Sequence, residues 1–242
     1  MSENAPDTEE SLPPYEGIAL SSVRLVRTRE DVQAALAALL ACDAIGFDTE
    51  SKPTFQKGEV STGPHLVQLA DDTQAWLFQI GSPASPAVVL ATEVLRPVLE
   101  SPTILKVGFG LGDDLRRLRA KLGIETRNVI DLATALRRRE EREKNAWGAK
   151  TAVARFFGKR LQKSRRITTT NWAMPRLSEQ QIQYAADDAH VALRIYRHWR
   201  EHFPAAAETA AANAARLAAR AAAQALAEAE AQQAQQQTQQ QA

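Results

Sequence analysis

The chain has 242 residues, of which 44% are hydrophobic and 24% charged, with a formal net charge of +1. That length allows one or two domains, and the composition is that of a soluble globular protein with a polar, biased C-terminus. No run of about 18 apolar residues is present to cross a bilayer. The single Cys42 cannot form an internal disulfide, and the acidic start Met1–Asp7 lacks the basic and apolar regions of a secretion signal, so a cytoplasmic location is expected.

The elements follow in chain order. Residues 1–21 are rich in Pro and Glu and are expected to be poorly ordered. Thr28 and Asp31 have the spacing of a capping box, with Asp in place of Glu, and Val32, Leu36, Leu39 and Leu40 then repeat at helical spacing, with Cys42 as buried filler at the end of the pattern. Ala44–Thr49 reads as a core strand, Ser51–Pro64 as a polar loop, and His65–Ala70 and Ala75–Ile80 as two further strands. Thr92–Leu99 is predicted helical, Ile104–Val107 a strand, and Asp113–Leu122 a helix with a basic face. Val129–Leu132 is read as a strand end leading into a helix that carries Arg137, Arg138 and Arg139. A short helix over Thr151–Phe157 ends at Gly158. Lys159–Asn171 is read as a loop, and Ser178 as the cap of a long helix through His198. Strands come first and helices afterwards, so the expected architecture is α/β, a mixed sheet flanked by helices. From residue 204 to 242 the sequence turns to Ala and then Gln. Its few large apolar residues predict a solvated, marginal helix to Ala231 and a disordered run from Gln232 to Gln241.

The near-neutral charge hides a division. Residues 1–105 carry 6 basic and 15 acidic groups (net −9), residues 106–166 carry 18 and 7 (net +11), and residues 167–242 carry 6 and 7 (net −1). A basic middle segment in a neutral chain points to a polyanionic partner on one face.

Three short runs place acids at the edges of apolar segments: Asp48 and Glu50 in Ile45–Glu50, Asp114 in Lys106–Leu115, and Tyr184 with Asp188 in Tyr184–Ala189. In a strand, Asp48 and Glu50 are i and i+2 and leave the same face. On a helix, Tyr184 and Asp188 are i and i+4 and share a face, while Asp187 points about 100° away. Oxygen ligands suit Mg²⁺ or Mn²⁺, and two such cations ~3.5–4 Å apart serve phosphodiester hydrolysis by activating water and relieving charge on the phosphoryl oxygens. Each pair alone is a weak signal; all three runs in this order form a strong one.

With these motifs the chain resembles the 3′–5′ exonucleases of the DEDD superfamily, tyrosine subclass, and is similar to the exonuclease domains of ribonuclease D and the Werner-syndrome protein. The likeness lies in Ile45–Glu50, in Pro53–Gly58 with His65–Leu69, in Lys106–Gly108 through Leu115, and in Leu177, Ser178 and Tyr184–Ala189. It covers residues 22–203. The sister subclass has His five residues before the last Asp, where this chain has Gln183. The resemblance implies a ribonuclease H-like fold and two-metal exonucleolysis releasing nucleoside 5′-monophosphates from 3′ ends of single-stranded or end-frayed DNA or RNA. It also implies that Asp48, Glu50 and Asp188 hold the cation that activates water. Asp48 also holds the second cation, Asp114 supports that one directly or through water, and Tyr184 orients the nucleophile. Asp114 is preferred over Asp113 because it directly precedes Leu115. The resemblance also places Lys163, Arg165, Arg166 and Trp172 against substrate, as phosphate contacts and a base-stacking ring.

Two rival readings remain at this stage. A catalytically inactive nucleic-acid-binding module of the same fold keeps the basic stretch but lacks an acid, whereas all five positions are filled here. A phosphatase of small esters has no need of the basic segment. His190 and His198 are read as structural, because such sites favour oxygen. Trp76, Trp147 and Trp199 are read as packing residues, and Gly108, Gly110 and Gly112 as close packing near the site.

Overall fold

The computed structural model describes residues 11–54, 59, 61–81, 85–137, 147–162 and 164–240. Six strands form one mixed sheet in the order β1-β4-β3-β2-β5-β6. They are β1 (Val23–Leu25), β2 (Ala44–Glu50), β3 (Leu66–Ala70), β4 (Ala75–Gln79), β5 (Leu105–Gly108) and β6 (Val129–Asp131). β2, β3 and β4 pair antiparallel. β1 joins β4, β5 joins β2 and β6 joins β5 in parallel. Both faces are covered, so the central strands are buried along almost their whole length and lack a polar alternation.

On one face Phe47, Val67, Leu69, Trp76 and Phe78 pack with α1 (Arg29–Leu39), α2 (Pro86–Leu99) and α3 (Gly112–Leu122). On the other lies α7 (Glu179–His202), whose Ala185, Ala186 and Ala189 let its backbone come close to the sheet. Beyond β5 and β6 a second apolar cluster joins Leu132 of α4 (Leu132–Ala135), Trp147 ahead of α5, Val153 of α5 (Ala149–Phe157) and Trp199 of α7. Both predicted caps are present: the Thr28 hydroxyl accepts from Asp31 N, and the Ser178 hydroxyl from Gln181 N, each with the reciprocal side-chain bond. Gly158 ends α5 at φ 61°.

Several elements differ from the sequence reading. α2 starts at Pro86, ahead of the predicted Thr92, because a proline at the first helical position forfeits a donor that has no intrahelical partner there. α4 stops at Ala135, so Arg137 lies past its end, while Arg138 and Arg139 lie outside the described residues. α6 (Arg165–Thr168) interrupts the stretch read as loop. β1 has only three residues, too few for alternation to show, and is held by its parallel pairing to β4.

Both termini are also more engaged than their composition suggests. Residues 1–10 lie outside the described residues, but residues 11–22 run along the body of the protein. Tyr15 N donates to Arg160 O at 2.9 Å, Arg160 N to Pro13 O at 2.8 Å, and Ile18 N to the Asp187 carboxylate at 2.9 Å. Backbone pairing of this kind needs no apolar periodicity. At the other end α8 runs from Pro204 to Gln240. Its first half is not a free helix: Ala207, Ala214 and Ala218 are buried, and Ala207 and Ala214 belong to the Trp147–Trp199 cluster. Small side chains suffice because the helix lies close to its neighbours.

Candidate active site

β2 and α7 build the centre. Gly46 faces α7 so closely that a Cβ there would stand 1.9 Å from the carbonyl oxygen of Ala189. Only glycine allows this approach. Asp48 and Glu50 follow Gly46 at intervals of two, on the same face of β2. α7 meets them with Asp188, one residue before the carbonyl that Gly46 admits. One ligand oxygen from each of Asp48, Glu50 and Asp188 lies within 4.8 Å of the others. Asp188 is buried and the other two are half-buried. Three converging carboxylates form an all-oxygen donor set, which fits a hard divalent cation such as Mg²⁺ or Mn²⁺.

Asp114, on the first turn of α3, stands outside that trio. It accepts a hydrogen bond of 2.6 Å from the hydroxyl of Thr49, the residue between Asp48 and Glu50. Burial pushes its carboxyl above the ordinary aspartate value, against the opposing pull of the Thr49 hydroxyl and Arg117. Asp113 is exposed and pairs with Arg116 at 3.0 Å and Arg117 at 3.8 Å, so of the two adjacent acids only Asp114 faces β2. The turn into α3 is held by Asp131, whose carboxylate accepts from Gly110 N at 2.9 Å and Leu111 N at 3.1 Å. Sequence reasoning passed over Asp131 because a single Asp at a strand end has no motif around it. Among the three glycines of this turn only Gly108 is tightly packed, with Phe47 O 2.3 Å from a hypothetical Cβ; Gly110 turns at φ 68°, and Gly112 has open space around it.

The Tyr184 hydroxyl lies 3.1 Å from Thr168 Oγ1. Its ring centroid is 6.0 Å from that of Trp172. Trp172 is only 1% exposed, packed with Leu66, Leu77 and Ala185. It therefore supports Tyr184 from behind and presents no face to a nucleobase, which corrects the stacking role expected for it. The polar residues around it in sequence concealed a core side chain. Asp187 points away from the trio, as the helical spacing predicts, and accepts from Ile18 N and from Gln183 Nε2 at 3.0 Å. Trp76, Trp147 and Trp199 are buried, as is His190. The His198 ring lies against those of Phe156, Phe157 and His202.

Of the expected substrate contacts, Lys163 lies outside the described residues, and Arg165 opens α6. Arg166 is exposed on the wall of a cleft of about 1170 Å³ that also includes Tyr184, Lys150, Arg160, Gln162 and Ser164. Lys150 and Arg160 were not singled out from sequence; the fold brings them beside Arg166. The N-terminal segment forms part of the same wall through Tyr15 and Leu20.

The family model described as 3′–5′ exonuclease matches residues 23–202. The chain belongs to the 3′–5′ exonuclease family. Over 157 residues it is 31% identical to a 3′–5′ exonuclease of Arabidopsis thaliana, covering 63% of this chain and 51% of that one. Over 155 residues it is 28% identical to the Mus musculus bifunctional 3′–5′ exonuclease/ATP-dependent helicase WRN, covering 64% of this chain and 11% of that one. The chain thus spans about half the length of the first relative and about a tenth of the second. Among solved structures, the Nibbler EXO domain of Aedes aegypti matches with a TM-score of 0.63 at 25% identity, over 77% of this chain and 92% of that one. Escherichia coli RNase D matches with a TM-score of 0.55 at 24% identity, over 77% of this chain and 48% of that one. The mixed six-stranded sheet with its flanking helices is the ribonuclease H-like fold of this exonuclease family.

Proposed function

We propose that the protein is a metal-dependent 3′–5′ exonuclease, hydrolysing phosphodiester bonds of single-stranded or end-frayed nucleic acid and releasing nucleoside 5′-monophosphates. The observation that carries this reading is the meeting of Asp48, Glu50 and Asp188 within 4.8 Å, with Tyr184 one helical turn from Asp188. Family membership supports it, as does the cleft beside Tyr184, whose lining includes Lys150, Arg160 and Arg166 along with Glu179 and Asp187. When bound there, a pair of divalent cations supplies Lewis acidity and a water ionised near neutral pH. In this scheme Asp48, Glu50 and Asp188 would hold the first cation, and Asp48 with Asp114, directly or through water, would hold the second. Tyr184 orients the attacking water, and the Thr168 hydroxyl beside it fixes the rotation of the phenol. Lys150, Arg160 and Arg166 receive the phosphates of the strand, with Lys163 and Arg165 close by in sequence. A Trypanosoma brucei RNase D of the same fold is known in complex with RNA U12; for the present chain both RNA and DNA are proposed substrates. A lone, half-buried Cys42 keeps the cytoplasm as the proposed compartment.

The test is digestion of end-labelled RNA and DNA oligonucleotides with Mg²⁺ or Mn²⁺. A ladder shortening from the 3′ end, abolished by chelator, is expected. Binding without cleavage under every metal condition supports the inactive binding module instead, and turnover of mononucleotide esters alone supports the phosphatase.

A further inference from the structure

The acid trio has a neighbour, in the run His65–Leu69, to which the sequence assigned no role. Gln68 lies on β3 directly opposite Asp48 of β2 in the antiparallel register. Opposed residues project from the same face with Cβ atoms about 4.5–5.5 Å apart, which places the Asp48 carboxylate within the span of the longer Gln68 side chain. Gln68 is 0% exposed. Along β3 it separates Leu66, which packs with Leu77, Trp172 and Ala185, from Ala70, which packs with Ala75, Ala186 and Ala189. Among the described residues neither Nε2 nor Oε1 of Gln68 has a hydrogen-bond partner. An apolar side chain would fill this place without cost, whereas a buried, unsatisfied amide is destabilising. A polar group kept where it weakens the fold calls for a task at the site it adjoins.

We propose that Gln68 is a positioning residue of the metal centre: its carboxamide, unpartnered here, turns to donate from Nε2 to Asp48 when a cation is held, and keeps that carboxylate in its ligating orientation. Asp48 Oδ1 already accepts from Thr49 N at 2.9 Å. A second donor, from the β3 side, fixes the plane of the carboxyl group rather than one oxygen alone. This assignment rests on the metal-dependent reading above. Partners that orient metal-ligating side chains are worth about 10–100-fold in metal affinity.

The variant is Gln68→Met, nearly equal in volume and unable to donate, with Gln68→Leu as a second apolar replacement. Mg²⁺ and Mn²⁺ affinities are measured by titration calorimetry on catalytically idle protein, alongside thermal melting without metal. The expected result is a melting temperature equal to or above wild type, with metal affinity weakened by about 10–100-fold. Unchanged metal affinity in a folded variant overturns the proposal, and so does loss of the fold in both variants, which makes the amide structural. Should wild type itself bind no divalent cation, the metal-dependent function fails, an outcome distinct from a wild type and a variant that bind alike.

Discussion

At the scale of single residues, Asp48 and Tyr184 separate holding a cation from guiding a water. Asp48 belongs to the trio and is the one acid assigned to both cations. Asp48→Ala is expected to abolish cleavage while oligonucleotide binding largely survives, measured as single-turnover rate against equilibrium affinity; a variant with half the wild-type rate contradicts the assignment. Tyr184→Phe removes only the hydroxyl. Its ring still packs on Trp172, so fold and metal affinity are expected to hold while hydrolysis slows, by up to the ~10²–10⁴-fold typical of a positioned proton-transfer group. An unchanged rate demotes Tyr184 to packing. The convergence of Asp48, Glu50 and Asp188 was legible in sequence because i and i+2 on a strand, and i and i+4 on a helix, put side chains on one face. Gln68, Asp131 and Trp172 were not, because each takes its meaning from a partner far away in the chain. Asp131 serves a turn twenty residues earlier, and Trp172 props a tyrosine on the next helix. Lys150 and Arg160 became site candidates only once the fold placed them on one cleft with Arg166.

At the scale of elements, the long helices and central strands follow their hydrophobic periods and caps, whereas residues 11–22 and the first half of α8 are held by devices that leave no period. α8 shows the consequence. Ala207, Ala214 and Ala218 bury small side chains, and the surface they cover includes the Trp147–Trp199 cluster. Truncation after Pro204 is therefore expected to destabilise the protein by on the order of a few kcal/mol, through about 0.8 kcal/mol per buried methyl-sized group plus the re-exposed partner surface. Truncation after Arg220 leaves all three alanines in place and is expected to melt like the full chain; equal melting of both truncations refutes the packing role of α8. The tie between β2 and α7 makes a second prediction. Asp43, just before β2, accepts from Arg197 at 2.7 and 2.8 Å and from Arg200 at 2.7 Å, and Arg197 also bonds Asp72. Hydrogen bonds from Arg197, then Arg200, hold the Asp43 carboxyl below its ordinary 3.8 despite some desolvation. A depressed folded-state value stabilises above the unfolded value and is lost as pH falls through the folded one. The pair is partly exposed, so its worth is at most about 1 kcal/mol. Asp43→Asn is expected to lower the melting temperature at pH 7, with the gap to wild type closing as pH drops below about 4. A gap that persists undiminished into strong acid means that the carboxylate charge is not its source.

At the scale of the whole molecule, the acidic first part of the chain supplies four of the six strands and two of the four acids assigned to metal, and the basic middle supplies the cations of the cleft wall. The fold class was legible because the order of strands and helices leaves few ways to cover both faces of a sheet. The direction of the charge asymmetry was legible too, but not its address. Composition cannot say which of eighteen cations in residues 106–166 face one another, and the sequence reading centred on Lys163, Arg165 and Arg166 alone. The structure sets Lys150 from α5, Arg160 after Gly158 and Arg166 from α6 around one cleft that Tyr184 also lines. If these three hold phosphates, replacing them together with alanine releases fewer counterions on binding. Affinity for a single-stranded oligonucleotide is then expected to fall, and the slope of log affinity against log salt to flatten by about 0.7 for each phosphate no longer neutralised. The fall should be nearly the same for every sequence, because phosphate contacts carry little sequence information. Turnover at saturating substrate should change less than affinity, since none of the three is assigned a cation. Arg160 meets the N-terminal segment through its backbone, so that pairing survives the alanine substitution. Wild-type and variant salt plots that coincide would remove the strand from this cleft and leave the basic face of α3 as its path.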